Sequence, residues 1–232
     1  MKLLLRCPQC APTAVSQYVE MNYEGVYQLD CPSGHRVLVV LPLQKFEILF
    51  QMGSLAFLDG YPREAALDFA AALERFFEFA IMVMLSQQRV PKSHIKATWK
   101  HLSHQSERQL GAFYTLYLHS FAQQPPTVDN KWVSFRNSVT HRGEIPSVEK
   151  TEAYASYLWQ YMINLLAQLK TRQADGLRRY VLSQDVTASN GTTVTTADIP
   201  TMISVLHENV TDSFADSLAV LRQLIEQGVF RK

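Results

Sequence analysis

The sequence predicts a mainly α protein: a helical bundle with a small β module before it and a β-hairpin plus one further helix after it. Three observations predict this class. Residues 42–176 place apolar side chains at spacings of three and four. Residues 1–41 carry short β-branched and aromatic runs separated by Gly, Asn and Pro. Residues 177–232 hold Tyr180-Val181-Leu182 and Thr192-Thr193-Val194-Thr195-Thr196 around Asn190-Gly191, then an amphipathic stretch. The expected organisation is therefore a β module over 1–41, a helical bundle over 42–176 and a C-terminal extension over 177–232.

In chain order, Val15–Met21, Val26–Leu29 and Arg36–Leu41 are the expected strands of a small antiparallel sheet. About 40 residues bury too little apolar area to fold unaided, so a staple is expected there. Pro42 marks the change to helical spacing, and Phe46, Leu49, Phe50, Gly53 and Phe57 form the first helical stripe. Asp59-Gly60-Tyr61-Pro62 reads as a stop followed by a start. Pro62–Gln87 is the strongest helix, apolar on most of its circumference and so expected at the centre of the bundle. Helices are expected from Pro91-Lys92 to His104, from Ser106 to Gln123, from Lys131 to His141 and from Ser147 to Arg172. Asp212–Gln227 closes the chain, with Phe214, Leu218, Leu221 and Leu224 on one face.

Composition excludes several classes. The 232 residues are 47% hydrophobic and 19% charged, which is too apolar for a disordered chain. The net charge of +1 excludes a generally basic nucleic-acid coat, so any polyanion site is a local patch. Three cysteines exclude a fully paired disulfide framework. No apolar run approaches the ~20 residues of a membrane helix, and Met1–Leu5 is too short for a signal core. A cytoplasmic protein without a membrane partner is the expectation.

All three cysteines lie in Cys7-Pro8-Gln9-Cys10 and Cys31-Pro32-Ser33-Gly34-His35. This is C-x2-C, a long spacer and C-x3-H. Each half is a short turn whose two ligands can reach one ion, and three thiolates with one imidazole suit a closed tetrahedral zinc site. The spacing resembles a zinc-ribbon or treble-clef-like knuckle pair. Cys7, Cys10, Cys31 and His35 are the expected ligands of a structural Zn2+, the staple of the β module. The plainer alternative is three small buried residues and a turn histidine.

The most informative stretch is Phe135-Arg136-Asn137-Ser138-Val139-Thr140-His141-Arg142-Gly143. On a continuous helix Arg136 and His141 stand ~140° apart around the axis, at ~100° per residue. They converge only if the helix ends near Thr140 or if two subunits meet there. Arg136-Asn137-x-x-x-His141, ahead of a long final helix, resembles the R-x4-6-H motif of the HEPN superfamily. The preceding Ala71–Glu78 segment is similar to the central helix of such domains, and the resemblance spans about residues 42 to 172. It implies an up-and-down helical bundle that forms a homodimer and cleaves RNA without a metal ion. By resemblance, Arg136 binds the scissile phosphate, Asn137 orients the motif, and His141 is general acid/base for attack by the ribose 2′-OH. The products are then a 2′,3′-cyclic phosphate and a 5′-OH, and DNA is resistant. The resemblance further implies a toxin or antiviral effector, with RNA such as tRNA as substrate and a regulatory protein or antitoxin as partner. The residues also have a plain reading, as surface and cap chemistry at a helix C-terminus.

Lys92, Lys96 and Lys100 recur every four residues, with Trp99 among them, and form one stripe on a helix. This stripe is the expected RNA-binding surface; a solvated basic face is the alternative. Arg172, Arg178 and Arg179 make a second, smaller basic cluster. Two other functions remain open: a non-catalytic dimeric scaffold that binds RNA or protein, and a zinc-dependent enzyme, against which a closed four-ligand site argues.

Overall fold

The structure, a computed structural model, describes residues 2–10, 16–182, 193–208 and 211–231. The chain divides into two units, residues 44–183 and residues 1–43 with 184–232. The protein is mainly helical, with a small strand module. No helix among the described residues is long and apolar enough to cross a membrane.

The strand-bearing unit begins with β1 (Lys2–Arg6), a 3-10 turn at Pro8–Cys10, β2 (Ser16–Glu20), β3 (Val26–Asp30) and β4 (Arg36–Val40). β1 pairs antiparallel with β2, and β3 with β4. The strand pattern alternates: Leu3 and Leu5 are buried in β1, Tyr27 and Leu29 in β3, Val37 and Val39 in β4. Val15, the start of the first expected strand, lies outside the described residues, and β1 precedes every strand expected from the sequence.

Three expectations are corrected here. The first 41 residues do not form one sheet by themselves. A further strand, β5 (Thr193–Thr196), runs parallel to β4, so β3-β4-β5 is one three-stranded sheet. After the helix Phe214–Glu226, the last strand Phe230–Arg231 (β6) pairs with β1 and completes β2-β1-β6. The physical reason is that β1 and β4 each have an open edge of backbone donors and acceptors, and the tail fills both. The unit is also larger than 41 residues: Ile199, Ile203, Val205, Phe214, Leu218 and Phe230 are all buried. The expected C-terminal hairpin does not form either. Val181 and Leu182 are helical, β5 pairs with β4, and Asn190-Gly191 lies outside the described residues.

The helical unit contains α1 (Lys45–Leu58), α2 (Pro62–Gln87), α3 (Lys92–Leu102), α4 (Ser106–Phe121), α5 (Asn130–Arg142), α6 (Val148–Arg172) and α7 (Ala174–Leu182); Phe214–Glu226 is α8. Pro62 opens α2 at its first turn, where the missing N–H costs nothing. Asp129 caps α5 by accepting the Lys131 N–H at 2.9 Å, and Ser147 caps α6 by accepting the Lys150 N–H at 3.2 Å. Gly143, at φ +70°, ends α5 in the left-handed conformation that a Cβ disfavours.

α2 is the centre of the bundle, as its all-round apolarity predicts. Phe46 of α1 meets Phe76 edge to face at 5.0 Å, and Phe50 meets Phe69 at 4.8 Å. On another side of α2, Phe77 meets Phe113 of α4 at 4.7 Å and Tyr161 of α6 at 6.3 Å. Each fully buried Phe contributes about 1.5–3 kcal/mol of transfer free energy, so α2 carries a large share of this unit's stability.

The α7 helix, unforeseen from local spacing, lies close on α2. The Gly176 N–H donates to Gln87 Oε1 at 2.6 Å. A Cβ at Gly176 would stand 2.4 Å from the Val83 carbonyl oxygen. Backbone cannot yield as a flexible side chain can, so Gly176→Ala is expected to cost roughly 1–3 kcal/mol. A chemical denaturation midpoint unchanged in that variant would refute this close approach.

Asp68 on α2 supplies a pH-dependent term. Burial, and secondarily the Glu64 charge, push its carboxyl up to about 6. The unfolded carboxyl titrates near 4. Between these values the folded chain holds the extra proton, so stability falls as pH rises from about 4 to about 6 and stays lower above. Asp68→Asn is expected to stabilise the protein at pH 7.5 by ~1 kcal/mol after allowance for partial solvent access. Melting curves should show a rise of roughly 2–4 °C at pH 7.5 and little change at pH 4.

Candidate functional site

The strand-bearing unit places the four sulfur and nitrogen candidates together. Cys7 follows β1 and Cys10 ends the 3-10 turn, where the Cys10 N–H donates to the Cys7 carbonyl at 3.2 Å. Cys31 and His35 flank the turn between β3 and β4. That turn is closed by Gly34 N–H to Cys31 carbonyl at 2.8 Å and by Cys31 N–H to His35 carbonyl at 2.9 Å. Gly34 sits at φ +84°, which only glycine adopts freely. The ligand-type atoms of Cys7, Cys10, Cys31 and His35 all lie within 4.8 Å of one another. Cys10 Sγ is 3.3 Å from Cys31 Sγ and 3.3 Å from His35 Nδ1, and Cys7 Sγ is 3.8 Å from the same nitrogen.

The chemistry of this donor set fits a tetrahedral ion of borderline softness. Zinc bonded to two sulfurs at 2.3 Å holds them about 3.8 Å apart, so the observed spacings need only small adjustments. The Ser33 N–H, 3.4 Å from Cys31 Sγ, together with the Cys10 sulfhydryl, draws the Cys31 thiol down to about 6. Cys10 is raised, chiefly by that shared bond, since it keeps the proton Cys31 gives up. One sulfur is thus prepared as a thiolate, the form that binds metal. Cys7 is buried, while Cys10 and Cys31 are partly exposed.

In the helical unit, Arg136 lies on the face of α5 toward α2. Its guanidinium pairs with Glu74 of α2 through Nη2 and Oε1, and donates from Nη1 to Asn137 Oδ1 at 3.1 Å. Both partners of the ion pair remain about one-third exposed. Arg136, Asn137 and Glu74 line a cleft of about 520 Å³ among α2, α4, α5 and α6. Trp132, Tyr114 and Tyr154 form aromatic parts of its wall. Burial pushes the Tyr154 hydroxyl well above its ordinary range, so it remains a neutral donor. Trp132 Nε1 is buried without a hydrogen-bond partner among the described residues. Glu107 also lines the cleft, so its carboxylates outnumber its one guanidinium.

His141 is not part of this cleft. α5 continues to Arg142 instead of ending near Thr140, so the ~140° separation of a regular helix applies. Convergence of Arg136 and His141 within one chain does not occur. His141 is exposed and has no hydrogen-bond or ion-pair partner among the described residues. Of the cleft residues, Trp132 was missed in the sequence although a signal existed: it precedes Arg136 by four, and so shares its helical face. Tyr114 and Tyr154 come from other helices and carry no such signal.

Lys92, Lys96 and Lys100 are exposed along α3, which has no buried residue. They form the expected stripe but stand apart from the Arg136 cleft. Lys92 and Lys96, without Lys100, line a second groove. Compared with known proteins, the chain matches no protein-family model, no curated protein and no solved structure.

Proposed function

We propose that this protein is a metal-independent endoribonuclease of HEPN type that works as a homodimer, with a structural zinc ion in its strand-bearing unit. The observation that carries this reading is the position of Arg136 and Asn137, side by side at an aromatic-walled cleft, with His141 exposed on the same helix. A guanidinium recognises phosphate through two parallel hydrogen bonds, and aromatic rings accept unstacked bases. Because Arg136 and His141 diverge around α5, each reaction centre takes Arg136 from one protomer and His141 from its partner. Ile145 and Val148, just beyond His141 in sequence, are exposed apolar residues that suit such a contact.

The balanced step needs no metal. His141 accepts the 2′-OH proton as that oxygen attacks phosphorus, the bond from phosphorus to the 5′-oxygen breaks, and the departing oxygen takes its proton from solvent water. A cyclic phosphate and a 5′-OH result. Arg136 must exchange Glu74 for the phosphate as substrate arrives. A toxin or defence role, with a regulatory protein as partner, accords with the family resemblance.

Zinc in the Cys7, Cys10, Cys31 and His35 site would occupy all four positions with protein ligands, which supports folding and leaves no opening for catalysis. A second reading draws on one specific observation. The Arg136–Glu74 pair, with Glu107 nearby, makes the cleft a poor resting site for phosphate, which favours a non-catalytic scaffold that binds protein or RNA. The discriminating experiment is incubation of the full chain, with EDTA, on total tRNA and on DNA of matched sequence. Cleavage of RNA alone, ending in cyclic phosphate, supports the ribonuclease; intact RNA that shifts in mobility supports the scaffold.

A further inference from the structure

The groove beside α3 has a chemistry different from that of the cleft. It encloses about 690 Å³ at the C-terminal end of α2, against α3 and α7. Its lining brings Arg89, Lys92 and Lys96 together with Arg179 of α7, so it joins two basic clusters that lie far apart in sequence. No carboxylate is among the described residues that line it. Glu78, whose charge is felt by Tyr180, is engaged by Arg75 instead. Trp99 and Tyr180 supply flat apolar surface, and Tyr180 is braced edge-on by Phe79 at 5.7 Å.

Arg89 provides an independent observation. It stands at φ +58°, where a residue with a Cβ is strained. The hydrogen bonds there, Arg89 N–H to Ser86 carbonyl at 3.1 Å and Val90 N–H to Leu85 carbonyl at 3.1 Å, close the helix end in the form that normally uses glycine. The chain thus carries a cation where its own backbone favours glycine. Ala122, at φ +53°, holds the same conformation as a plain helix cap; at Arg89 the conformation also places a guanidinium on the groove lining.

We propose that this groove binds a nucleoside polyphosphate, with the polyphosphate among Arg89, Lys92, Lys96 and Arg179 and the base against Trp99. Four cations around one space of ligand size match the clustered charge of a di- or triphosphate. An RNA backbone spreads its charges along the chain and would use Lys100 as well, which the groove omits. The site is separate from the Arg136 cleft and stands whether or not that cleft cleaves RNA.

The test is calorimetric titration of the full chain with ATP, with inorganic triphosphate, and with a single-stranded oligoribonucleotide lacking terminal phosphates. ATP is expected to bind at one equivalent per chain, more tightly than triphosphate, with affinity that falls as salt rises. Arg89→Gly is expected to weaken ATP about tenfold by loss of a charge-assisted contact while the melting temperature holds or rises, because the backbone strain is relieved. Lys96→Gln, on an exposed helix face, should weaken it likewise without unfolding. Absence of saturable ATP binding up to millimolar concentration overturns the proposal. So does ATP binding unaltered in both variants, or oligoribonucleotide binding tighter than ATP and lost in the same variants.

Discussion

The 232-residue chain carrying Cys31→Ser is expected to lose one equivalent of zinc and to unfold its strand-bearing unit at a much lower temperature than the native chain. The expectation follows from what the four ligands connect. Cys7 and Cys10 follow β1, which belongs to the β2-β1-β6 sheet, whereas Cys31 and His35 close the β3–β4 turn of the other sheet. One ion bound there ties both sheets at one point. Structural zinc contributes on the order of 10–16 kcal/mol of apparent binding free energy in small zinc-finger peptides. Less of that is needed here, since the tail adds strands β5 and β6 and buried side chains such as Phe214 and Phe230. The expected loss is therefore several kcal/mol, on the order of a lost buried metal site, and not the complete failure to fold of a bare zinc finger. Elemental analysis of metal per chain, with hydrogen exchange of the β3 and β4 amides, reads both parts. His35→Cys keeps four ligands and is expected to retain the ion. A native chain that purifies without zinc, takes none up and melts identically in chelator would end the zinc reading.

The parts of this fold that were legible in sequence are those set by local rules. α2 shows how: Pro62 at its start, apolar residues around the whole circumference, and then a central place among the helices. Ser147 likewise announced α6 through its side-chain oxygen. What stayed hidden depends on partners distant in the chain. β5 and β6 are short, and nothing in Thr193–Thr196 says that its hydrogen bonds go to β4 rather than to a neighbouring hairpin strand. The α7 helix is read through Gly176, whose meaning lies in a carbonyl of Val83 more than ninety residues earlier. The candidate sites divide the same way. The four metal-type ligands form two short turns, each a local pattern, and their meeting was inferable from ligand chemistry alone. The partner of Arg136 was half legible: the family resemblance offers Glu74 and Glu78 alike as acidic groups for the motif, and only the packing of α2 on α5 selects Glu74, while Glu78 pairs with Arg75. The groove under α3 was half visible, as a lysine stripe, while its other wall waited on the placement of Arg179.

Mixing two inactive variants is expected to restore RNA cleavage, and this is the sharpest consequence of where α5 puts its motif. In the proposed ribonuclease, Arg136→Ala removes the phosphate-binding group and His141→Ala the proton-transfer group. Each is expected to lower cleavage of tRNA by about 10²–10⁴-fold, the usual contribution of a positioned acid or base. Arg136→Ala also leaves Glu74 without its partner, so its melting temperature must be measured beside its activity. His141 is exposed and makes no polar contact among the described residues, so His141→Ala should fold as the native chain does. If each centre takes Arg136 from one protomer and His141 from its partner, a mixed dimer of the two variants contains one damaged centre and one intact centre. Random exchange makes half of the dimers mixed, so about a quarter of native activity returns on mixing. A centre formed within one chain allows no such recovery, since every chain in the mixture lacks one of the two groups. Full activity of His141→Ala alone would remove the assigned acid/base. Two dead variants that stay dead after exchange, confirmed by mixed dimers in native mass spectrometry, would reject the shared centre and turn the Arg136 cleft back into a binding surface.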